Sequence, residues 1–282
     1  MKHRRIIYIV MIAAIVVGII CGMIIYQMYN KDEVIVAFLD VGQGDAILIS
    51  KGSQQILIDG GPDGTVLMER LGKYIPFWDK NIEIVIATHP DGDHIDGLIS
   101  IFENYSVDQF WHTEASKDTS ISTKLFQSAK KEKELKDITA FNGLGMSMEG
   151  VNLSVIYPFN ERVGDVEDIN NVSIALILQI SDEFFYLGGD LSSDIEDILP
   201  IDDTITVLKA SHHGSASSTS ETFLEKVNPR DVIISAGREN RYGHPHEDVL
   251  NRILDVSAHI FRTDKLGDIV YICNDDCTIS VR

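Results

Sequence analysis

The segment THPDGDHIDG, residues 88–97, places two imidazoles and two carboxylates within six positions, directly after the apolar run IEIVIA. The four side chains belong to His89, Asp91, Asp93 and His94. Imidazole nitrogens and carboxylate oxygens together bind divalent metal ions, and a tight turn can bring such groups to one point. Four ligands exceed what one ion with an open coordination position takes from a single loop, so the segment predicts two ions. The alternative is a solvated acidic turn that caps a helix beginning near Asp96, which leaves both histidines unexplained.

Further candidate residues follow apolar runs later in the chain. Asp190 ends the run EFFYLGGD, where a carboxylate is suited to bridge two ions, although such a residue can also be an ordinary turn aspartate. The segment LKASHHGS contributes Lys209, His212 and His213. Adjacent histidines at the end of a strand point in different directions, so one can bind metal while the other faces a substrate. His244 lies in the Gly/Pro-containing segment RYGHPHED, for which a plain loop is the alternative interpretation.

These candidate residues stand at the ends of predicted β-strands. The strand pattern is found in VIVAFLDV, DAILIS, QQILIDGG, IEIVIATH, NLSVIYP, VSIALILQI, EFFYLGGD, TITVLKASH and DVIISAG. Helices are predicted in DGLISIFENY, STKLFQSAKKEKE, SSDIEDILP, SETFLEKV and EDVLNRILDVS. Each half of the chain has paired strands that end in an acid, LIDGG or YLGGD, and a later strand that ends in histidines. The repeat predicts two sheets packed face to face, with helices outside and loops converging on one site.

The N-terminus contains an uncharged apolar stretch over residues 6–28, which is long enough to cross a bilayer as a helix. It is longer than the apolar region of a signal peptide, and no small-x-small cleavage site follows it. Lys2, Arg4 and Arg5 precede the stretch and mainly acidic residues follow it, so the N-terminus is expected in the cytoplasm. A buried core helix is the alternative. The predicted organisation is a cytoplasmic basic tail over 1–5, a transmembrane signal-anchor over 6–28, a linker over 29–33 and one extracytoplasmic domain over 34–282.

The charge balance limits the kinds of partner. The formal net charge is −19, and after residue 30 the chain carries 21 bases against 43 acids. Such a surface repels nucleic acid and anionic membranes at long range, which argues against a protein that coats nucleic acid. A small anionic substrate at a metal site is not excluded, and the sequence leaves the oligomeric state open.

Two of the three cysteines, Cys273 and Cys277, flank NDD between the strand-like runs DIVYIC and CTISVR. A hairpin would bring them close together, and an extracytoplasmic location would permit a disulfide. Two unpaired small apolar side chains are the alternative.

The motifs also carry a family resemblance. HPDGDH resembles the H-x-[HD]-x-D-H motif of the metallo-β-lactamase superfamily. The fuller set FLDVGQGDAILI, ILIDGG, THPDGDHIDG, NNVS, LGGD, LKASHHGS and YGHPH resembles the hydrolase domain of the ComEC-type competence proteins, in the same order over about residues 34–282. This resemblance implies an α/β fold, the αββα sandwich. The many membrane spans of the competence channel have no counterpart in the sequence, so DNA transport is not implied.

The same resemblance implies roles for the first group of candidates. His89 and Asp91 would bind the first ion, Asp93 and His94 the second, and Asp190 would bridge them. The superfamily commonly has histidine where this chain has Asp91, so the predicted ligand set is rich in oxygen. Oxygen-rich coordination makes manganese a rival to zinc as the pair of divalent ions.

Other positions are assigned less directly. One of His212 and His213 would complete the second metal site, and His212 is preferred because it lies nearer the end of the strand. Asp59, at the end of ILID, would brace the metal loop from behind. The NNVS asparagines stand where the family has a further histidine, so Asn171 is expected to support the structure rather than to bind metal.

The sequence as a whole predicts a membrane-anchored, extracytoplasmic hydrolase with two metal ions, most consistent with a phosphodiesterase or nuclease. Asp93 would orient the nucleophile, and His213, His244 or Lys209 would donate a proton or hydrogen bond to the substrate anion or leaving group. The alternatives are a hydrolase acting on phosphodiester decorations of cell-envelope polymers and a non-catalytic metal-binding module that docks a partner. A lactamase fits less well, because one imidazole is missing.

Overall fold

The computed structural model describes residues 2–29, 33–115, 119–148, 150–160, 168–201, 204–274 and 276–281. The predicted linker, 29–33, therefore falls mainly on residues 30–32, which lie outside the described residues. Met1 of the predicted basic tail also lies outside them.

Two β-sheets form the centre of the domain that begins at Val34. Their strands are β1 (Val34–Phe38), β2 (Ile47–Lys51), β3 (Gln54–Ile58), β4 (Asn81–Ala87), β5 (Ser106–His112), β6 (Lys136–Thr139), β7 (Gly145–Met148), β8 (Val151–Tyr157), β9 (Ala175–Ile180), β10 (Glu183–Leu187), β11 (Val207–Lys209), β12 (Asp231–Ile234), β13 (His259–Arg262), β14 (Ile269–Cys273) and β15 (Cys277–Val281). The first sheet has the order β15-β14-β1-β2-β3-β4-β5-β6, and the second has the order β13-β12-β11-β10-β9-β8-β7.

The described helices are α1 (Lys2–Tyr29), α2 (Gly64–Leu71), α3 (Gly92–Asn104), α4 (Ser120–Ala129), α5 (Ser193–Glu196), α6 (Glu221–Val227), α7 (Glu247–Asp255) and α8 (Thr263–Leu266), with short 3₁₀ turns at Ile169–Val172 and Ser211–Gly214. Several of them connect parallel strands: β3 to β6 are parallel neighbours, and so are β10 to β13. Parallel neighbours need crossover connections, which place helices on the faces of the sheets.

Three apolar layers hold this arrangement together. The inner faces of the two sheets pack against each other through residues such as Phe38, Trp111, Phe185 and Tyr271. A second cluster joins the outer face of the first sheet to α2, α3 and α4, and a third joins the second sheet to α6 and α7. The sandwich with outer helices agrees with the predicted αββα architecture.

The helix after the His/Asp segment begins earlier than predicted. It starts at Gly92 rather than near Asp96, because Asp91 has extended backbone angles and its carbonyl accepts from the N–H groups of His94 and Ile95. The predicted start is therefore wrong, and Asp93 and His94 belong to the first turn of α3. A helical turn holds these side chains more rigidly than a loop would.

The N-terminal helix α1 contains a window, Arg4–Met23, with a mean hydropathy of 2.9 and no buried side chains. Its length and composition suffice to cross a membrane. A window of 20 residues without buried side chains does not fit the alternative of a core helix.

The C-terminal hairpin places Cys273 opposite Cys277 in register, and a disulfide joins them. The hairpin formed by β14 and β15 lies at the edge of the first sheet.

Candidate metal centre

The candidate site lies where strands of both sheets end. Asp59 follows β3 and His89 follows β4 in the first sheet, whereas Asp190 follows β10 and His213 follows β11 in the second. The carboxyl ends of parallel strands share one edge of a sheet, so the fold brings these four positions to the same edge of the sandwich. Rigid strand ends thus position groups that are far apart in sequence.

The carboxylate of Asp190 stands at the centre of the histidines. Its Oδ2 atom lies 3.3 Å from His94 Nε2 and 3.4 Å from His213 Nε2. His89 Nε2 and His212 Nε2 both lie 3.9 Å from the same oxygen. The two halves of the chain therefore meet at one carboxylate, as the predicted bridging role of Asp190 requires.

Asp59 contacts His94 directly and reaches His89 through the Thr88 hydroxyl. His94 Nδ1 lies 2.8 Å from Asp59 Oδ2, and the Thr88 hydroxyl donates to the same oxygen at 2.7 Å. His89 Nδ1 lies 3.1 Å from the Thr88 hydroxyl, whose own proton is engaged by Asp59. Both Nδ1 atoms are therefore the donors, and each Nε2 presents its lone pair to the site.

His213 is held in the same tautomer by a different set of groups. Its Nδ1 lies 3.1 Å from the Ser235 carbonyl oxygen, which can only accept, and 3.5 Å from Asp45 Oδ1. The proton must therefore be on Nδ1, and Nε2 again presents a lone pair. That lone pair lies 3.6 Å from Asp93 Oδ2.

These lone pairs are the observation that fits a metal. Within the described residues, the buried Nε2 atoms of His89, His94 and His213 and Oδ1 of Asp190 have no hydrogen-bond partner. Buried polar atoms are otherwise almost always paired, because leaving one unpaired costs about 1–3 kcal/mol. His89, His94 and Asp190 form one set whose ligand atoms lie within 4.8 Å of one another, and Asp93, His94 and His213 form a second such set. The donor types and their convergence fit divalent metal ions.

The electrostatics of the site also suit cations. Burial lowers the pKa of His89 to about 3, so its imidazole is neutral and able to bind metal. Burial alone would lower the pKa values of His94 and His213, but the adjacent Asp190 carboxylate raises both well above the ordinary value. In the absence of a metal this carboxylate therefore favours a second proton on Nε2 of His94 and of His213, and the lone pairs of these two atoms become available when a bound cation replaces that proton.

The structure distinguishes between the two adjacent histidines. His213 is buried and belongs to a convergent set with Asp93 and His94, whereas the His212 side chain is 27% exposed and joins none of the sets found among the described residues. The geometry favours His213 as the ligand, the reverse of the preference taken from the sequence. His212 faces the cavity above the site.

Both histidines occupy a turn with unusual backbone angles. His212 has φ 50° and His213 has φ 56°, which is the left-handed region that side chains with a Cβ rarely adopt. A buried carboxylate anchors this turn: Glu196 accepts from the Ser211 hydroxyl at 2.6 Å and from the Thr219 backbone N–H. The hydrogen bonds of Glu196 hold the segments before and after the turn, which stabilises a backbone conformation that is locally unfavourable.

Lys209 does not occupy the predicted position of a substrate donor. Its side chain has no exposed surface, and its ammonium group pairs with Asp45 and donates to the Gly189 carbonyl oxygen at 3.3 Å. A fully buried ammonium paired in this way cannot reach a substrate in the cavity. The sequence-based role is corrected to an internal counter-charge for Asp45, which in turn contacts His213.

A cavity of about 100 Å³ opens above the candidate metal centre. The residues that line it are Gln43, Asp91, Asp93, Asn170, Asp190, His212, His213, Tyr242 and His244. Asp91 thus faces the cavity but, within the described part of the chain, belongs to none of the convergent ligand sets. Burial raises the pKa of Asp93, but the neighbouring His213 and His94 lower it by more, so that the net value is about 2.

His244 lies on the rim of this cavity. Asn240 holds its loop, accepting from the His244 N–H at 2.9 Å and donating to the His244 carbonyl oxygen at 2.6 Å. Burial lowers the pKa of His244 to about 4, so its ring is neutral at ordinary pH. A neutral imidazole facing the cavity can donate a hydrogen bond to a bound anion.

Asn171 lies beside the site without facing it. Its side-chain oxygen accepts from the Ser192 N–H at 3.0 Å, and its carbonyl accepts from the Tyr157 hydroxyl at 2.9 Å. These contacts tie the 3₁₀ turn at Ile169–Val172 to the segment after Asp190, which is a supporting arrangement.

Sequence reasoning assigned no role to three residues that shape the site. Asp45, Thr88 and Glu196 are all buried and hold histidine-bearing segments through the contacts described above. A signal for one of them is present in the sequence, because Lys209 lies inside an apolar strand and a buried lysine needs a buried acid. Which acid supplies the partner is decided by the fold.

Comparison with known proteins agrees with this geometry. The sequence profile of the metallo-beta-lactamase superfamily matches residues 39–238, which is well over half of the chain. The chain belongs to this superfamily. The solved structure of the metallo-beta-lactamase fold protein YhfI from Bacillus subtilis covers 86% of this chain with a TM-score of 0.59, at 12% sequence identity and over 100% of its own length. At that identity the match establishes the fold, and it confirms the predicted α/β sandwich.

Two curated relatives connect the chain to competence proteins. It is 29% identical to ComE operon protein 3 of Bacillus subtilis (strain 168) over 284 residues, covering 91% of this chain and 36% of that protein. It is 23% identical to competence protein ComA of Neisseria gonorrhoeae over 261 residues, covering 88% of this chain and 34% of that protein. The resemblance to the ComEC type of competence protein is confirmed. The chain spans about a third of the length of these relatives.

Proposed function

We propose that this protein is a phosphodiesterase or nuclease that uses two divalent metal ions and is anchored to a membrane by α1. The observation that carries the proposal is the convergence of three buried imidazole lone pairs on the Asp190 carboxylate at the base of an open cavity. The metallo-β-lactamase fold, shared with metal-dependent hydrolases, supports a hydrolytic reaction.

The donor sets suggest which residues would hold each of the two ions. His89 would hold the first ion with Asp190, and Asp91, which lines the same cavity, would complete that site. Asp93, His94 and His213 would hold the second ion. Asp190 would contact both, since all three histidine nitrogens lie within 4 Å of its Oδ2.

Metal ions in such a pair lower the pKa of bound water and stabilise negative charge that develops on a phosphoryl group. The side chains of the protein would orient the attacking water and the substrate. Asp93 is one-third exposed and can accept a hydrogen bond from the attacking water. His212 and His244 face the cavity and can donate to the oxygens of a phosphodiester or to the leaving group.

Phosphodiester chemistry is favoured over lactam opening by the oxygen-rich donor set. Asp91, Asp93 and Asp190 provide carboxylates where tri-histidine zinc sites have imidazoles, and such sets suit harder ions, which makes manganese a rival to zinc. The name of one relative, a competence protein, is consistent with a nucleic acid as the substrate. The formal charge of −22 after residue 30 favours a second candidate, short phosphodiester units on cell-envelope polymers.

We further propose that the domain from residue 34 onward lies outside the cytoplasm. Lys2, Arg4 and Arg5 precede the apolar stretch of α1, whereas acidic residues predominate after it. Digestion of intact cells by an added protease would test this orientation. Complete protection of the domain, with digestion after the cells are permeabilised, would contradict it.

The enzymatic proposal is tested with the full chain purified in detergent. Metal content would be measured after loading with manganese or with zinc, and hydrolysis would be followed on bis-p-nitrophenyl phosphate, DNA, RNA, phosphorylated envelope polymers and β-lactams. Asp93→Ala should abolish hydrolysis, and Glu103→Ala, an exposed position on the same helix, should leave it unchanged. Fewer than one ion per chain, or opening of a β-lactam without any phosphodiester cleavage, would overturn the proposal.

A further inference from the structure

The turn Pro76–Asp79, directly before β4, exposes two adjacent aromatic side chains. Phe77 is 81% exposed and Trp78 is 52% exposed, and their rings meet edge to face with centroids 4.9 Å apart. The turn is closed by a hydrogen bond of 2.9 Å from the Asp79 N–H to the Pro76 carbonyl oxygen. Large aromatic side chains are usually buried, and an exposed pair on an ordered turn indicates a surface that contacts something apolar.

The aromatic turn, Phe77–Trp78, lies at the edge of the first sheet opposite the candidate metal centre. Neighbouring strands from β1 to β3 are antiparallel and β3 is parallel to β4, so β1, β3 and β4 all start at one edge. Val34, where the chain enters the domain, is three strand positions from the start of β4. With strands about 4.8 Å apart, the two starts are separated by about 14 Å. The metal-binding candidates stand at the other edge, where β3 and β4 end.

The covalent chain limits how far this edge can be from the membrane. The helix α1 ends at Tyr29, and β1 begins at Val34. A fully extended chain spans at most about 3.6 Å per residue, so Val34 lies within about 18 Å of Tyr29 in any arrangement. If the apolar window of α1 crosses a bilayer, the edge that carries Val34 cannot move far from the bilayer surface, and the aromatic turn lies on that same edge.

We propose that the aromatic turn inserts into the interfacial layer of the bilayer that α1 crosses. This inference rests on the proposed membrane anchoring. Tryptophan is enriched at membrane interfaces, where its ring is partly apolar and its N–H remains wet, and phenylalanine contributes apolar area there. Lys80, exposed next to the turn with its ammonium 4.9 Å from the centre of the Tyr105 ring, is placed to meet lipid phosphates.

Docking at this edge would orient the active site away from the membrane. The strands between the two edges contain five to seven residues at about 3.3 Å each, so the cavity stands roughly 20 Å farther from the bilayer than the aromatic turn. The substrate would then come from the aqueous phase or from a polymer beyond the surface, not from lipids of the same bilayer.

The two tryptophans of the chain make this arrangement measurable. Trp78 lies on the turn, whereas Trp111 is buried between the sheets, and α1 contains no tryptophan. The full chain would be reconstituted into vesicles of phosphatidylethanolamine and phosphatidylglycerol whose acyl chains are brominated near the ester end. Because one of two tryptophans is within reach, we expect bromine to quench roughly half of the emission. Trp78→Phe should abolish the quenching, and Phe77→Ser should reduce it.

A control places the probe at the opposite edge. Phe141 is 38% exposed and follows β6, which ends at the same edge of the first sheet as β3 and β4. In the Trp78→Phe background, Phe141→Trp should show no quenching by brominated lipid. Equal quenching at both positions would overturn the proposed orientation.

Co-flotation of the protein with the vesicles tests the membrane anchor separately from the docking of the aromatic turn. A chain that floats with the vesicles while Trp78 stays unquenched and open to aqueous acrylamide would overturn the docking and leave the anchor intact. In another outcome, Trp78 is shielded from acrylamide but is not quenched by lipid, and the shielding increases with the protein concentration. That outcome would overturn the membrane docking and indicate that the turn contacts a second copy of the chain. A chain that does not float at all would contradict the anchor, and the docking with it.

Discussion

The two halves of the site bring histidines to one carboxylate by different means. In the first half, His89 follows a regular strand and His94 lies in the first turn of a regular helix. Asp59 orients the His94 ring directly and the His89 ring through the Thr88 hydroxyl. In the second half, His212 and His213 occupy a left-handed turn. That turn depends on the buried Glu196 and lies beside the buried pair of Asp45 and Lys209.

This difference shows that the two halves of the site are stabilised by different kinds of interaction. The first half uses local structure that its own sequence favours, so its ligands need one brace. The second half holds an unfavourable backbone and several buried charges, which persist only because partners from distant segments compensate them. We therefore expect substitutions in the first half to act mainly on metal binding, and substitutions in the second half to act on folding stability as well.

The largest effect is expected where the two halves meet. Asp190→Asn should lower phosphodiester hydrolysis at least about 10³-fold, because metal ions supply several kcal/mol of charge stabilisation and this carboxylate faces both sets. Metal content and ester hydrolysis would be measured together. Asp182→Asn, an exposed acid before the start of the same strand, should change neither. Full activity of the Asp190 variant would show that the halves do not share a bridging ligand.

The second prediction concerns the buried charge pair. Lys209→Met should destabilise the protein by about 3–5 kcal/mol, because Asp45 is left buried without its counter-charge. The measurement is urea unfolding, with Lys136→Met on the exposed face of β6 as the control. If Lys209 instead acted on the substrate, as the sequence suggested, hydrolysis would fall while the unfolding midpoint stayed unchanged.

A third prediction separates the two adjacent histidines. His213→Ala should weaken metal binding by about 100-fold or more, since even the loss of a residue that only orients a ligand costs 10–100-fold. His212→Ala should weaken metal binding far less and act mainly on the rate of hydrolysis. Competition with a chelator gives the affinities. Larger metal loss in the His212 variant would restore the assignment made from the sequence.

The fourth prediction is the pH dependence that Glu196 contributes in the second half. Burial raises the pKa of Glu196 from 4.5 to about 7. A carboxyl group with a higher pKa in the fold stabilises the protein at pH below about 4.5, and that contribution is lost as pH rises through about 7. Between pH 5 and pH 8 the protein should lose roughly 2 kcal/mol more unfolding free energy than Glu196→Gln does. Urea unfolding with a chelator present would measure this, and parallel pH profiles would refute it.

The smallest effect is expected from the brace of the first half. In Asp59→Asn, the side-chain amide would donate toward His94 Nδ1 and favour the tautomer with the proton on Nε2, so that the ring would have to change tautomer before it binds metal. Metal affinity should fall about tenfold, with a smaller change in the unfolding midpoint than Lys209→Met produces. An unfolding midpoint lowered as much as in that variant would remove the distinction between the halves.

The fold could be predicted from the sequence where the elements are long and have a clear hydrophobic pattern. The runs that became β1 to β4 and β8 to β12 were predicted, and so was the position of the candidate site at their ends. The strands β5, β6, β7 and β13 were missed. The strand β5, SVDQFWH, mixes polar and apolar residues without a clear alternation, and β6, β7 and β13 are short and partly polar, as in KDIT and GMSM. Tertiary pairing rather than pattern makes them strands. The start of α3 was missed because the loop and the helix share the same polar residues.

The sequence by itself determined the chemistry of the site: which side chains end the strands, that they are imidazoles and carboxylates, and that they resemble a metal-binding family. The tertiary structure decided which of them converge. His212 and His213 are neighbours in the chain, so only the left-handed turn determines which nitrogen faces Asp190. The role of Lys209 was decided by Asp45, which approaches from the other half of the chain. The physical reason is that a buried charge or lone pair takes its function from its partner, and here the partners come from distant segments of the chain.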